Sequence, residues 1–188
     1  MVHHMIVDDF LDDFESFRPQ CDDLNYSGVT SPVDGVFYPG ISFEIPEKVK
    51  ADVIKKLKKI TGSIDNLWLF LRLSLDGVDV PHQAHNDASM GRYGMILYLN
   101  RPEHCKGGTS TVRHIKEGMK NGPENDQQME VWKKDVNEYD QWDITEMIDM
   151  KPNRAWIFPT ETMHRAEKPS NYGTDPKDGR LVMVGFWS

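Results

Sequence analysis

The tripeptide His85-Asn86-Asp87 puts an imidazole and a carboxylate two positions apart. On extended backbone that spacing sends both side chains to the same side, where they can grip one metal ion. A third donor is available in His164, within Thr162-Met163-His164-Arg165 and just past an apolar run that reads as a strand. Strand pairing is the means by which so distant a residue comes alongside. Two imidazoles and one carboxylate on one face of an octahedral ferrous ion leave three positions for a cosubstrate and dioxygen. The set suits oxygen chemistry better than a closed structural zinc site, which favours Cys. Taken alone His-x-Asp is a weak signal, because seven histidines and 30 acids among 188 residues produce it by chance. Its weight comes from the elements around it.

Those elements are mostly strands. Leu67, Leu69, Leu71, Leu73 and Leu75 alternate with Trp68, Phe70, Arg72 and Ser74, the period of two of a strand with one face packed on apolar neighbours. Runs at 94–99, 155–158 and 181–187 are strand-like and bounded by Gly, Pro or Asn. Near the start, Met5-Ile6-Val7 reads as a short strand leading into a helix whose first turn, from Asp8-Asp9, is acidic. A second helix opens at Pro46-Glu47, with Val49, Val53, Ile54, Leu57 and Ile60 on one face, Lys on the other and Gly62 as its stop. The stretch 22–40 is rich in turn residues. Residues 113–150 are polar, with helical character near 128–136, and read as an insertion or lid. The expected layout is one domain over 1–188, with residues 1–62 supporting a core at 67–188.

Composition removes several classes. A net charge of −8 opposes non-specific attraction to nucleic acid or anionic lipid. No stretch approaches the roughly 20 apolar residues of a membrane span. The acidic N-terminal segment lacks the features of a secretory signal, so a cytoplasmic location is expected. Cys21 and Cys105 are too few for a disulfide framework and read as free thiols.

After His85-Asn86-Asp87 come Gly94-Met95-Ile96-Leu97-Tyr98-Leu99-Asn100 and Gly107-Gly108-Thr109. Later come Arg154-Ala155-Trp156-Ile157-Phe158-Pro159, His164, and Gly179-Arg180 followed by an apolar run to Trp187. In this order, over roughly residues 67–188 and more loosely 5–14, the chain resembles the prolyl 4-hydroxylase-like branch of the 2-oxoglutarate and iron(II)-dependent oxygenases. The resemblance implies a mostly β, α+β fold with a double-stranded β-helix core, the jelly roll shared with cupins. It implies His85, Asp87 and His164 as the metal triad and Arg180 as partner of the 2-oxoglutarate C5 carboxylate, to which Tyr98 is positioned to donate its hydroxyl. A planar guanidinium fork suits that carboxylate and stays charged. Implied cofactors are Fe(II) and 2-oxoglutarate, with ascorbate as a candidate auxiliary, and the reaction is a hydroxylation that consumes dioxygen and releases succinate and carbon dioxide. Because Asp87 is present, halogenation is disfavoured. The substrate is expected to be a peptidyl prolyl or other residue, or alternatively a free amino acid or small metabolite.

Arg180 follows His164 at a longer interval than in relatives, with 171–177 as an enlarged loop, and Arg72 and Ser74 stand where relatives often carry a tyrosine. Contacts to the cosubstrate on that side are therefore open. His82 is expected to be solvent-exposed, with a substrate or supporting role as the alternative. His3, His4, His104 and His114 are read as ordinary surface residues, and Trp156 and Trp187 as core fillers. Two non-enzymatic alternatives stand beside the oxygenase: a cupin-like metal-binding barrel without turnover, which needs no Arg180, and an interaction protein working through 113–150.

Overall fold

The continuous apolar runs of the sequence become strands buried on both faces. In the computed structural model, which describes residues 4–32, 34–78, 82–167 and 172–188, these are β6 (Tyr93–Tyr98), β9 (Ala155–Pro159) and β11 (Arg180–Trp187). With β1 (Met5–Val7), β4 (Ile41–Ser42) and β5 (Trp68–Ser74) they form a six-stranded antiparallel sheet in the order β1-β9-β6-β11-β5-β4. A second sheet, β10-β7-β8, joins β7 (Gly108–His114), β8 (Trp142–Asp149) and β10 (His164–Glu167). A two-stranded ribbon, β2 (Val29–Thr30) with β3 (Phe37–Tyr38), completes the strands. Antiparallel sheets packed in this way make the expected jelly roll.

Alternation sorts the large sheet's side chains into two compartments. Leu71, Leu73, Met95, Leu97, Ala155, Ile157, Leu181 and Met183 face α1 (Phe14–Gln20) and α2 (Glu47–Thr61), meeting Phe10, Phe14, Phe17, Val49, Val53 and Leu57. The intervening Ile96, Tyr98, Trp156, Phe158, Val182, Val184 and Phe186 face the opposite way, packing with Ile148 and Met150 from the small-sheet side. In α2 the buried residues Val49, Val53 and Leu57 recur every fourth position. The helix ends as expected at Gly62, whose φ of 87° few other residues adopt and whose N–H caps the Lys58 carbonyl at 2.9 Å. The first helix begins at Phe14, later than the acidic Asp8-Asp9 pair implied; Asp8 instead bonds Arg154 and Lys151.

The 113–150 stretch is not one insertion. Its final third is β8, which pairs along β7 from Gly108↔Asp149 to His114↔Trp142. Most of this edge strand's residues are exposed and its polar alternation is masked by Asp and Glu, which is why the sequence pattern missed it. The middle forms α3 (Asp126–Asp135), capped by the Asn125 side chain accepting from Gln128 N. His114, read as a surface residue, is wholly buried: its Nε2 lies 3.1 Å from Asp135 Oδ2 and its Nδ1 accepts from Glu117 N at 3.0 Å. His4 is exposed beside Glu146, and His3 lies outside the described residues. Cys21 and Cys105 are free, Trp156 and Trp187 are fully buried, and no helix among the described residues is long and apolar enough to cross a membrane.

One buried residue fastens the N-terminal segment to the turn before β9. Asn153 adopts φ 58°. Its Nδ2 donates to the Leu11 carbonyl at 3.0 Å and its Oδ1 accepts from Leu11 N at 2.8 Å. Asn153→Ala removes both bonds and leaves a left-handed alanine, so it should cost about 3 kcal/mol. Asn153→Gly, which accepts that backbone, should recover about 1 kcal/mol of the loss. Urea-unfolding midpoints of the two variants and the wild type check the order.

Candidate active site

The metal-ligand candidates are assembled by backbone. His85 and His164 form an isolated antiparallel bridge, with His85 N donating to His164 O at 3.0 Å and His164 N to His85 O at 2.8 Å. Asp87 N donates to Thr160 O at 2.8 Å, tying the loop after His85 to the end of β9. The tripeptide is therefore a bridge and a loop rather than a regular strand, yet it converges as the spacing implied. Donor atoms of His85, Asp87 and His164 all lie within 4.8 Å of one another. Asp87 Oδ2 is 3.4 Å from His164 Nε2, and Oδ1 is 3.8 Å from His85 Nε2.

Both imidazoles are set to coordinate. His85 Nδ1 lies 2.9 Å from the Gln83 carbonyl oxygen and His164 Nδ1 2.9 Å from that of Thr162. A carbonyl only accepts, so the ring hydrogen resides on Nδ1 and Nε2 keeps its lone pair toward Asp87. Burial, then the neighbouring His164 ring, pushes the His85 pKa down to about 4, which keeps it neutral and available. Trp156 and Phe158, stacked with centroids 3.9 Å apart, meet the His164 ring in edge-on contacts with centroids at 5.7 and 5.0 Å.

The 115–141 segment buttresses this arrangement from behind. Ala84 N donates to Val136 O at 3.0 Å, Trp132 Nε1 to Ala84 O at 3.0 Å, and Met163 N to Lys120 O at 2.7 Å. Ala84, Val112, Met119, Trp142 and Met163 pack together beneath these bonds. The residues beside both histidines are thus fixed by the stretch that the sequence left as a lid.

A cavity of about 470 Å³ opens in front of the triad. Its far wall carries Arg180, buried and donating from Nη2 to Thr109 Oγ1 at 3.2 Å, with Nε unpartnered. Arg180 thus lines the same cavity as the triad despite the longer interval before it. Arg18 holds the described part of the intervening loop through the Pro176 carbonyl at 2.9 Å, and Asn100 fastens the start of β11 by accepting from Leu181 N at 3.0 Å and donating to Gly179 O at 2.7 Å. Asn171 lies outside the described residues.

Tyr98 is placed differently from the expectation. It is wholly buried off the cavity wall, and its hydroxyl donates to Thr109 Oγ1 at 2.8 Å and lies 3.2 Å from Ile148 O. The group that reaches the cavity is Thr109, which the sequence offered only as the end of Gly107-Gly108-Thr109. Gly108 permits this, since a Cβ there would run into the Ile148 carbonyl of β8. His82, expected in solvent, is part-buried, lines the cavity and sits 5.6 Å from the Trp132 ring. Arg72 also lines the cavity; its β5 register pairs it with Val182, on the face that carries Arg180.

No sequence-family model matches the chain, and no curated protein matches it in sequence. Solved structures do. A viral collagen prolyl hydroxylase from Paramecium bursaria Chlorella virus-1 superposes with a TM-score of 0.56 at 13% identity, covering 99% of this chain and 88% of that one. The chain has the fold of the 2-oxoglutarate oxygenases. A non-heme α-ketoglutarate-dependent carbocyclase from nogalamycin biosynthesis gives a TM-score of 0.57 at 12% identity, covering 97% and 78%. A Trichoplax adhaerens prolyl hydroxylase, in complex with a hypoxia-inducible factor peptide fragment, gives 0.51 at 11%, covering 98% and 82%. At these identities the oxygenase fold is what is shared.

The donor set predicts one bound divalent ion. In anaerobic equilibrium dialysis the protein should take up a single equivalent of Fe(II) or Mn(II). Asp87→Ala should weaken uptake by about 100-fold or more, beyond the usual loss when a group that merely orients a ligand is removed.

Proposed function

We propose that the protein is a 2-oxoglutarate and iron(II)-dependent dioxygenase that hydroxylates an unactivated C–H bond, turning 2-oxoglutarate and dioxygen into succinate and carbon dioxide. The observation that carries this reading is the presence, in one cavity, of a two-histidine, one-carboxylate donor set and a buried guanidinium with an unpaired edge. The donors fit ferrous iron: two imidazoles and a carboxylate, with room left for further ligands. His85, Asp87 and His164 would hold the ion, and iron bound there supplies the dioxygen activation that no side chain can perform.

The chain's own residues do the rest. Arg180 pairs with the far carboxylate of 2-oxoglutarate, where a charge-assisted bond in a dry cavity is strongest. Thr109 contributes its hydroxyl beside that guanidinium. Tyr98 acts at one remove by holding Thr109, rather than by touching the cosubstrate. Phe158, Val182, Val184 and Phe186 exclude water from the space between Arg180 and the triad. The described residues act as one catalytic unit, in which the large sheet supplies the carboxylate clamp and the small sheet supplies His164.

A peptidyl residue or a small molecule both remain compatible with the fold, which does not fix substrate. A metal-binding barrel without turnover has no use for a buried, half-unpaired Arg180, and the charged group would then be a cost without return.

Anaerobic titration of the protein with iron(II) and 2-oxoglutarate tests the reading. The weak visible absorption of an iron-bound 2-oxo acid should appear and be lost in His85→Ala and His164→Ala. Arg180→Gln should retain iron but raise the 2-oxoglutarate Kd about 30-fold or more. Iron binding with no absorption change, and no succinate formed in air, would favour the non-catalytic barrel.

A further inference from the structure

We infer that Arg72 forms a second anion site beside the metal ligands, and that the substrate carries a carboxylate on an apolar body. This rests on the dioxygenase reading and narrows its substrate.

Arg72 and Arg180 are the two arginine or lysine side chains on the cavity wall among the described residues. They are diagonal neighbours on one face of the β5–β11 pair, since Arg72 stands opposite Val182 and Arg180 opposite Ser74. Their surroundings differ. Arg180 turns to Thr109 and the Tyr98 ring. Arg72 lies over the Tyr38 ring at 5.9 Å and within electrostatic reach of Asp87 and His85, on the metal side. The strand at this position needs no cation for packing, because its neighbours on the same face are Phe70 and Val182.

Charge decides the matter. A divalent ion, Asp87, Arg180 and doubly charged 2-oxoglutarate together sum to zero. Arg72 then faces a largely apolar cavity with no carboxylate among the described residues ion-paired to it. Asp34, the other carboxylate on the wall, is engaged with the Tyr38 hydroxyl at 2.8 Å and with Val36 N at 3.0 Å, and it forms no ion pair with Arg72. A part-buried guanidinium with no carboxylate bonded to it leaves its fork of donors open on the cavity, and a carboxylate entering with the substrate matches it bidentately. Phe43, Phe70, Trp132 and Phe186 surround the approach and fit an apolar remainder.

The test needs no turnover. Zinc-loaded protein, saturated with 2-oxoglutarate, is titrated calorimetrically with L-leucine, L-phenylalanine and 4-phenylbutyrate, each beside its own amide. At least one acid should bind about tenfold or more tighter than its amide. Arg72→Gln should abolish that preference and Arg72→Lys keep most of it, with thermal melting confirming that both variants fold. Their 2-oxoglutarate affinity should change less than about threefold, unlike that of Arg180→Gln. The inference is overturned if no acid is preferred by the wild type, if Arg72→Gln leaves the preference intact, or if Arg72→Gln weakens 2-oxoglutarate as much as Arg180→Gln does. Should the wild type fail to bind 2-oxoglutarate at all, the dioxygenase reading falls, and the acid-amide comparison run without it still decides the role of Arg72.

Discussion

Two backbone hydrogen bonds exchanged between His85 and His164 hold the site together. Because they belong to the main chain, they fix where both Cα atoms stand whatever the side chains do, and the adjoining Gln83 and Thr162 carbonyls then fix each ring. The geometry costs little to maintain once formed. The bridge is short, however, and has no ladder on either side, so its persistence depends on what packs against it: α3 and Trp132 against Ala84, Lys120 against Met163, and the end of β9 against Asp87.

The second organising feature is the strict division of the large sheet into a structural and a chemical face. Every odd position of β11 from Leu181 feeds the helix-covered core, while the even positions run from Arg180 through Val182 and Val184 to Phe186 along the cavity. A slip of β11 by one residue against β5 would turn Arg180 into the helix-covered core and Leu181 onto the cavity face. Apolar helix packing thereby specifies where the charges of the site lie, although among the described residues no helix contributes to the lining except through Trp132.

How much of this was legible in the sequence follows from the range of each signal. Local periodicity gave β5, β6, β9, β11 and α2 with boundaries close to those observed, because each is apolar enough to show its period. His85, Asp87, His164 and Arg180 were found by motif order, and the structure brings them to one cavity. What escaped depended on partners distant in sequence. β8 is a polar edge strand held by β7, and His114 is buried only because Asp135 and Trp142 close over it. Tyr98 and Thr109 compete for one direction, and only three-dimensional packing shows that the smaller side chain wins the cavity. Arg72 was open in the sequence between a cosubstrate contact and a structural role, and its parity, on the strand face opposite the leucines, is the signal that places it with the cavity side chains.

The strand order has a consequence for how the protein is made. β11, the last of the described strands in chain order, lies between β6 and β5, and β1, the first of them, is held at the far edge by β9. Until residues 180–187 exist, β5 and β6 flank an empty slot, each with an unpaired edge rich in Leu and Ile, and Phe10, Phe14 and Phe17 have only part of their core to cover. Long-range pairing of this kind closes slowly and leaves apolar edges open meanwhile. A partly folded sheet that lacks β11 is therefore adhesive along two apolar edges at once, and the closing of a single strand removes both.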